Sequence, residues 1–294
     1  MFNNKSIPAY LTPENLKEYL FKIFENKNIN INIDIDNSGN VIIHKSGKGK
    51  KIAVAVPINT EELYVTHCEN DKVYFNLKDN TNKESIIDLC VVSKNGVIGV
   101  VKKDETLEFI EAFDKLECKT GDVFQILSST NCKANKLYGQ NIRIDISLKI
   151  VYNILFFINN SDKDIYLTLY FNDNAVKSFI SSRNFNYIFT LKYGIAENDF
   201  KISSGCGIVY KDGNAVMSRD ILEICNNVSA DISNQPYFST DRSIIDNFVI
   251  LAKDAKLGSL CMPIKYMGSK CEIADMDDIN STIEILKNII EEVR

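Results

Sequence analysis

Apolar and polar positions follow two different periods along this chain, and the period changes twice. Near the start, Thr12-Pro13-Glu14 supplies a hydroxyl N-cap, a proline at the first helical position and an acid in the first turn. Leu16, Tyr19, Leu20, Ile23 and Phe24 follow at three- to four-residue spacing and predict a helix. From Ile29 to Asp36 the pattern becomes strict alternation. Asn37-Ser38-Gly39-Asn40 then turns it into Val41-Ile42-Ile43, which predicts a β-hairpin. Lys51–Val56 and Leu63–Thr66 read as short apolar strands. Between about 67 and 138, short strands such as Lys72–Leu77, Leu89–Ser93, Val97–Val101 and Val123–Leu127 alternate with polar turns. No long helical pattern interrupts them, so this stretch is expected to be a small inserted β-barrel.

After 138 the α/β rhythm resumes. Asp145 to Ile158 is apolar nearly all round, as a buried helix requires. Ile165–Phe171, Tyr187–Tyr193, Gly207–Tyr210 and Gly258–Ile264 read as strands. Ser218-Arg219-Asp220 opens a helix through Val228, and Arg242–Ala252 reads as another. Asp277-Asp278 complements the dipole at the start of a last helix carrying Ile279, Ile283, Leu286, Ile290 and Val293. The expectation is an α/β fold with a mixed sheet flanked by helices. Residues 1–66 and 139–294 would build it as one discontinuous domain, with 67–138 as the inserted barrel.

Composition narrows the function classes. The 294 residues are 45% hydrophobic and 25% charged, ordinary for a globular chain. A net charge of −5 leaves no basic footprint, so nucleic acid is not an expected partner. The longest apolar run, Ile154–Ile158, is too short for a membrane span, and Met1–Tyr10 carries no apolar signal core. Eight cysteines without a CxxC pair then read as reduced thiols of a cytoplasmic protein.

Candidate chemistry is sparse. There are only two histidines, His44 at a strand end and His67 beside Cys68. Neighbours on a strand point to opposite faces, so His67 and Cys68 cannot pair with each other. Ser204-Gly205-Cys206-Gly207 reads as a tight turn. Gly47-Lys48-Gly49-Lys50-Lys51 lacks the spacing of a phosphate loop. Asp275-Met276-Asp277-Asp278 reads as a helix cap rather than a cation site. Asp145 heads an apolar helix and Asn172-Asp173 ends an apolar strand, the region where sites lie in open α/β sheets.

An ordered series of short stretches resembles the glutamyl/deblocking aminopeptidases, dinuclear metallopeptidases that assemble into tetrahedral dodecamers. Ile33–Val41 is similar to that family's early D-x-x-G-N hairpin, Lys51–Asn59 to its strand ending in A-H-M-D, and Tyr64–His67 to the strand entering the insert. Gly96–Gly99 and Lys119–Asp122 are similar to G-V-I-G and G-D turns within that insert. Gly139–Asp145 stands where the family has G-(K/R)-A-x-D-(D/N)-R, and Tyr170–Asp173 where it has T-x-Q-E-E-x-G. Thr240-Asp241 falls at a G-G-T-D-A segment and Pro263–Ser269 at P-x-R-Y-x-H-S.

The resemblance implies two divalent ions, zinc or cobalt, held by two His and three carboxylates, with a Glu as general base. Here the first His position is Pro57 and the following Asp is Asn59. Asp145 stands for the bridging Asp, followed by Ile146 and Ser147. The general-base position is Asn172, and Asp173 is the neighbouring acid. No acid occurs in Phe189–Lys192, and the last His position is Gly268. Glu61 and Glu62 are the nearby acids that a rearranged strand end would bring to the first position.

Asp145 and Asp173 are thus the residual ligands and are expected to approach each other, with Lys192 either facing solvent on its strand or placing its ammonium beside them in place of metal charge. The expectation is a degenerate member: a non-catalytic pseudo-peptidase without cofactor. It would act through homo-oligomeric assembly, assembly with an active paralogue, or binding of a peptide. An active aminopeptidase with unorthodox ligands, and a hydrolase or binding protein with a new site in the old cleft, are the competing readings.

Overall fold

The computed structural model describes residues 7–293 except 26, 28–30, 59, 70–71, 78–82, 105–106, 114–117, 240–243 and 252–253. The chain opens with helix α1 (Pro13–Phe24), where Thr12 and Asn15 form a reciprocal capping box ahead of Pro13. Strands β1 (Asn32–Ile35), β2 (Val41–Lys45) and β3 (Lys51–Pro57) follow. Next come β4 (Glu62–Glu69), β5 (Lys72–Leu77), β6 (Cys90–Ser93), β7 (Ile98–Lys103), β8 (Glu108–Ala112) and β9 (Val123–Ile126). Then β10 (Ser129–Lys133) and β11 (Lys136–Gln140) lead into helix α2 (Arg143–Ile158), β12 (Asp164–Tyr170), α3 (Asp173–Ser181) and β13 (Tyr187–Ile195). The remainder is β14 (Cys206–Asp212), β15 (Ala215–Val216), α4 (Arg219–Val228), β16 (Asn234–Ser239), α5 (Ile244–Leu251), β17 (Lys256–Ile264), β18 (Glu272–Asp275) and α6 (Met276–Glu292).

The main sheet runs β1-β2-β12-β3-β13-β17-β14-β15, with β16 also paired to β14. Its centre, β12-β3-β13-β17, is parallel, so the carboxyl ends of these strands lie along one edge. Both faces are covered. Along β3, Ile52, Val54 and Val56 enter one core with α1, α2 and α6, while Ala53 and Ala55 enter the other with α3 and α5. That two-sided burial explains why the central strands read as continuous apolar runs.

Strands β4-β5-β8-β7-β6-β9 close a separate barrel with its own core of Leu63, Val65, Val73, Phe75, Val91, Ile110 and Phe124. The expected limits of 67 and 138 fall inside β4 and β11. The barrel strands run from Glu62 to Ile126, and β10-β11 instead pairs with β18 in a three-stranded sheet. Helix α3 and strands β8, β10, β11, β15, β16 and β18 were not read individually from the sequence. No helix among the described residues is long and apolar enough to cross a membrane.

Candidate functional site

A polar cluster fills the carboxyl edge of the parallel strands, the place where open α/β sheets form the crevice that holds their sites. Helix α2 starts there, because Ile142 donates its N–H to Glu272 Oε2 at 2.9 Å. Arg143 is the first residue of the helix, and Ser147 lies one turn later on the same face. Ser147 Oγ donates to the carbonyl of Pro57, the last residue of β3, at 2.6 Å, and lies 2.5 Å from the Tyr193 hydroxyl. Tyr193 donates to the Arg143 carbonyl at 2.8 Å, and burial pushes its phenol well up. Burial likewise raises Tyr170, at the end of β12.

Arg143 is the charged centre. Its Nη2 donates to Glu61 Oε1 at 3.0 Å, and its Nε lies 3.0 Å from Glu272 Oε1, close enough for an ion pair but off hydrogen-bonding alignment. Side-chain exposure is 10% for Arg143 and 1% for Glu272, so the pair sits in low dielectric. Burial raises the Glu272 carboxyl, against the lowering pull of Arg143 and of the Gly268 and Ile142 N–H donors. Burial also opposes the Arg143 charge, but Glu272 and Glu61 outweigh it and the guanidinium is held more firmly protonated. Gly268 has φ +80° and gives its N–H to Glu272 Oε1 at 2.7 Å.

The sequence-predicted residues are distributed differently from the expectation. Asp145 lies two positions beyond Arg143 and so on the opposite side of α2. Its Oδ2 accepts from Ser128 Oγ at 2.7 Å and Thr130 Oγ1 at 2.6 Å. Asp173 is the first residue of α3, and the Asn172 side chain caps that helix by accepting from the Ala175 N–H at 2.8 Å. Lys192 does form an ion pair, but with Asp212 at 2.7 Å, a fully buried carboxylate of β14. Asn59 and Thr240-Asp241 lie outside the described residues.

Glu62 accepts from the Tyr64 hydroxyl at 2.7 Å. His44 binds Asp164 at 2.7 Å and stacks on Tyr166, at the opposite, amino-terminal edge of the sheet. His67 stacks on Tyr74 in the barrel wall. Asp275 caps α6 by accepting from the Asp277 N–H, as the acidic run suggests. Gly205 has φ +90°, and a Cβ there would meet Ser233 O at 1.9 Å, so the turn before β14 requires glycine.

Sequence reasoning missed the Arg143–Glu61–Glu272 cluster. The signal was present: read without a gap, the seven residues Gly139–Asp145 put Arg143, not Asp145, at the acid position of the seven-residue family pattern. Glu272 lies in β18, a strand too short to show a period.

The residues around the crevice do not fit a dinuclear metal centre. Two close cations need neutral or anionic donors around a bridging carboxylate. The crevice instead holds a guanidinium, Pro57 and Gly268 bring no side-chain donor, and the Asn172 oxygen is engaged by α3. No group of three or more His, Cys, Asp or Glu among the described residues is arranged to hold a metal.

The fold is the one adopted by the TET aminopeptidases. The TET1 peptidase of Pyrococcus horikoshii superposes with a TM-score of 0.80 at 14% identity, over 99% of this chain and 97% of that one. An aminopeptidase of the archaeon Desulfurococcus kamchatkensis gives a TM-score of 0.83 at 16% identity, over 96% and 90%. In sequence, the chain is 23% identical over 290 residues to a protein of Acetivibrio thermocellus provisionally named an aminopeptidase, covering 86% of each. No family model matches the chain.

Proposed function

We propose that this chain keeps the aminopeptidase architecture without its dinuclear metal chemistry, and serves as a binding or assembly subunit. The observation that carries the reading is the buried Arg143 guanidinium between Glu61 and Glu272, a fixed cation at the strand edge where substrates bind in open α/β sheets. An internal cation satisfies acids that would otherwise attract a metal, and it repels a second positive charge. Asn172 cannot take up a proton at neutral pH, so no general base stands at that position.

The TET1 peptidase of Pyrococcus horikoshii is described as assembling into a tetrahedron or an octahedral shell, which supports homo-oligomers or mixed shells with an active paralogue here. A peptide is the ligand class such a cleft would retain, and the cytoplasm is the compartment its thiols suit. The reading divides the chain into residues up to 61 and from 127 onward, which hold the crevice, and the barrel between them.

The test combines metal analysis after incubation with zinc or cobalt, hydrolysis of leucine and glutamate p-nitroanilides, and light scattering. The expected result is less than one metal per chain, no metal-dependent hydrolysis and a mass of at least twice 33.3 kDa. Two metals per chain with metal-dependent hydrolysis would overturn it.

A further inference from the structure

On the far side of α2 from the crevice lies a cavity of about 410 Å³ between that helix, the β10-β11 hairpin and the start of α6. Leu137, Tyr152 and Met276 form its apolar wall, and Thr130, Asp145 and Lys149 its polar one. This volume falls in the range of small-molecule sites, and a few polar groups set against an apolar wall is their usual make-up.

The two charges in this cavity have not neutralised each other. Asp145 and Lys149 are spaced i,i+4 with the acid first, the arrangement that ordinarily closes into an ion pair on a helix. Here the hydroxyls of Ser128 and Thr130 take Asp145 Oδ2 instead. The Lys149 ammonium, half-buried, has the Met276 thioether at 3.4 Å as its hydrogen-bond acceptor among the described residues. A thioether is a weak acceptor and carries no charge to offset an ammonium. Burial accordingly lowers the Lys149 proton affinity. Among the described residues the ammonium has no counter-charge, and an anion pinned one helical turn away faces the same space.

We propose that this cavity is a binding site for a zwitterionic α-amino acid with an apolar side chain. The ligand's carboxylate pairs with Lys149, its ammonium with Asp145, and its side chain packs against Leu137, Tyr152 and Met276. A simple carboxylate would meet the Asp145 charge, and a simple amine the Lys149 charge. Only a ligand bearing both signs satisfies the two residues together. The site is separate from the Arg143 crevice and does not depend on whether the crevice is inactive.

The probe is 4-fluoro-L-phenylalanine, followed by fluorine NMR with the full-length protein. Two truncated probes accompany it: 4-fluorophenethylamine, lacking the carboxylate, and 3-(4-fluorophenyl)propanoate, lacking the ammonium. The amino acid is expected to bind saturably and at least tenfold more tightly than either truncated probe. Lys149→Met should abolish binding. That variant removes a poorly partnered ammonium and keeps an apolar chain of similar length, so it should fold, as circular dichroism would verify. Asp145→Asn should weaken binding of the amino acid and of the amine, but not of the propanoate. Absence of binding, equal binding of the amine, or binding undiminished in folded Lys149→Met would each overturn the proposal.

Discussion

Arg143 Nε and Glu272 Oε1 stand 3.0 Å apart at the floor of the crevice, joining the first residue of α2 to the first residue of β18 across 129 positions of sequence. Glu272 also fixes the backbone around it, accepting from Ile142 N and Gly268 N. The carboxylate therefore does three jobs: it starts α2, closes the 266–269 turn and balances a buried cation.

Removing the cation alone should be costly. Arg143→Met leaves Glu272 buried with backbone donors but no counter-charge, and breaking such a pair costs about 3–5 kcal/mol. The double variant Arg143→Met with Glu272→Gln removes both charges and should recover much of that loss. Urea unfolding of the wild type, the two singles and the double gives the coupling directly. Equal stability of Arg143→Met and the wild type would show that the pair is solvated.

Much of the fold could be read from the chain, and the reasons for the exceptions are physical. The central strands are buried on both faces and the long helices carry whole apolar stripes, so β3, β12, β13, β17, α1, α2 and α6 stood out. The β10-β11 hairpin did not, because its two-residue turn uses Ala134 and Asn135 at φ +50° and +63° in place of the usual Asn-Gly pair. Helix α3 was hidden because its N-cap, Asn172, follows the end of β12 at Tyr170 by only two residues. The site was harder still. Its residues come from 61, 143 and 272, and apart from the place of Arg143 in the family pattern, pairing over such separations leaves no local trace. Lys192 was expected either beside Asp145 and Asp173 or facing solvent; its partner is instead Asp212, supplied by a neighbouring part of the sheet that the sequence did not align.

At Asn172 the capping role has its own measurable consequence. Its Oδ1 takes one of the otherwise unpaired N–H groups at the start of α3. Asn172→Ala should cost about 1 kcal/mol, whereas Asn172→Asp, which keeps the acceptor, should stay within a few tenths of the wild type. Differential scanning calorimetry separates the two. A large loss in Asn172→Asp as well would mean that the amide N–H₂ is the group that matters.

The pair Asp275 and Asp278 gives the chain opposite pH sensitivities at one helix end. Asp278 is fully buried, and burial pushes its carboxyl up to about 6 although the Ser203 and Gly205 N–H groups pull the other way. Lys136 also lowers it and Asp275 raises it. A carboxyl raised in the folded state binds its proton more tightly there than in the unfolded chain. Its stabilising contribution is therefore complete below the unfolded value of 3.8 and is lost as pH rises through about 6. Asp275 behaves in reverse: burial opposes its charge, but Lys136, Ser203 and Asp277 N–H outweigh it and hold the carboxyl below the usual range. Its contribution is present above 3.8 and fades only on stronger acidification. Between pH 4.5 and 7.5 the Asp278 effect should thus appear without that of Asp275, and comparing wild type with variant cancels other groups such as Glu272. Asp278→Asn loses one backbone acceptor at every pH, so it should be less stable than the wild type at pH 4.5. As the wild type loses its proton, that deficit should shrink by on the order of 2 kcal/mol between pH 4.5 and pH 7.5. Urea unfolding of both proteins at the two pH values reads the difference. A deficit that grows with pH would mean that the two N–H donors hold Asp278 ionised and that burial is the lesser force.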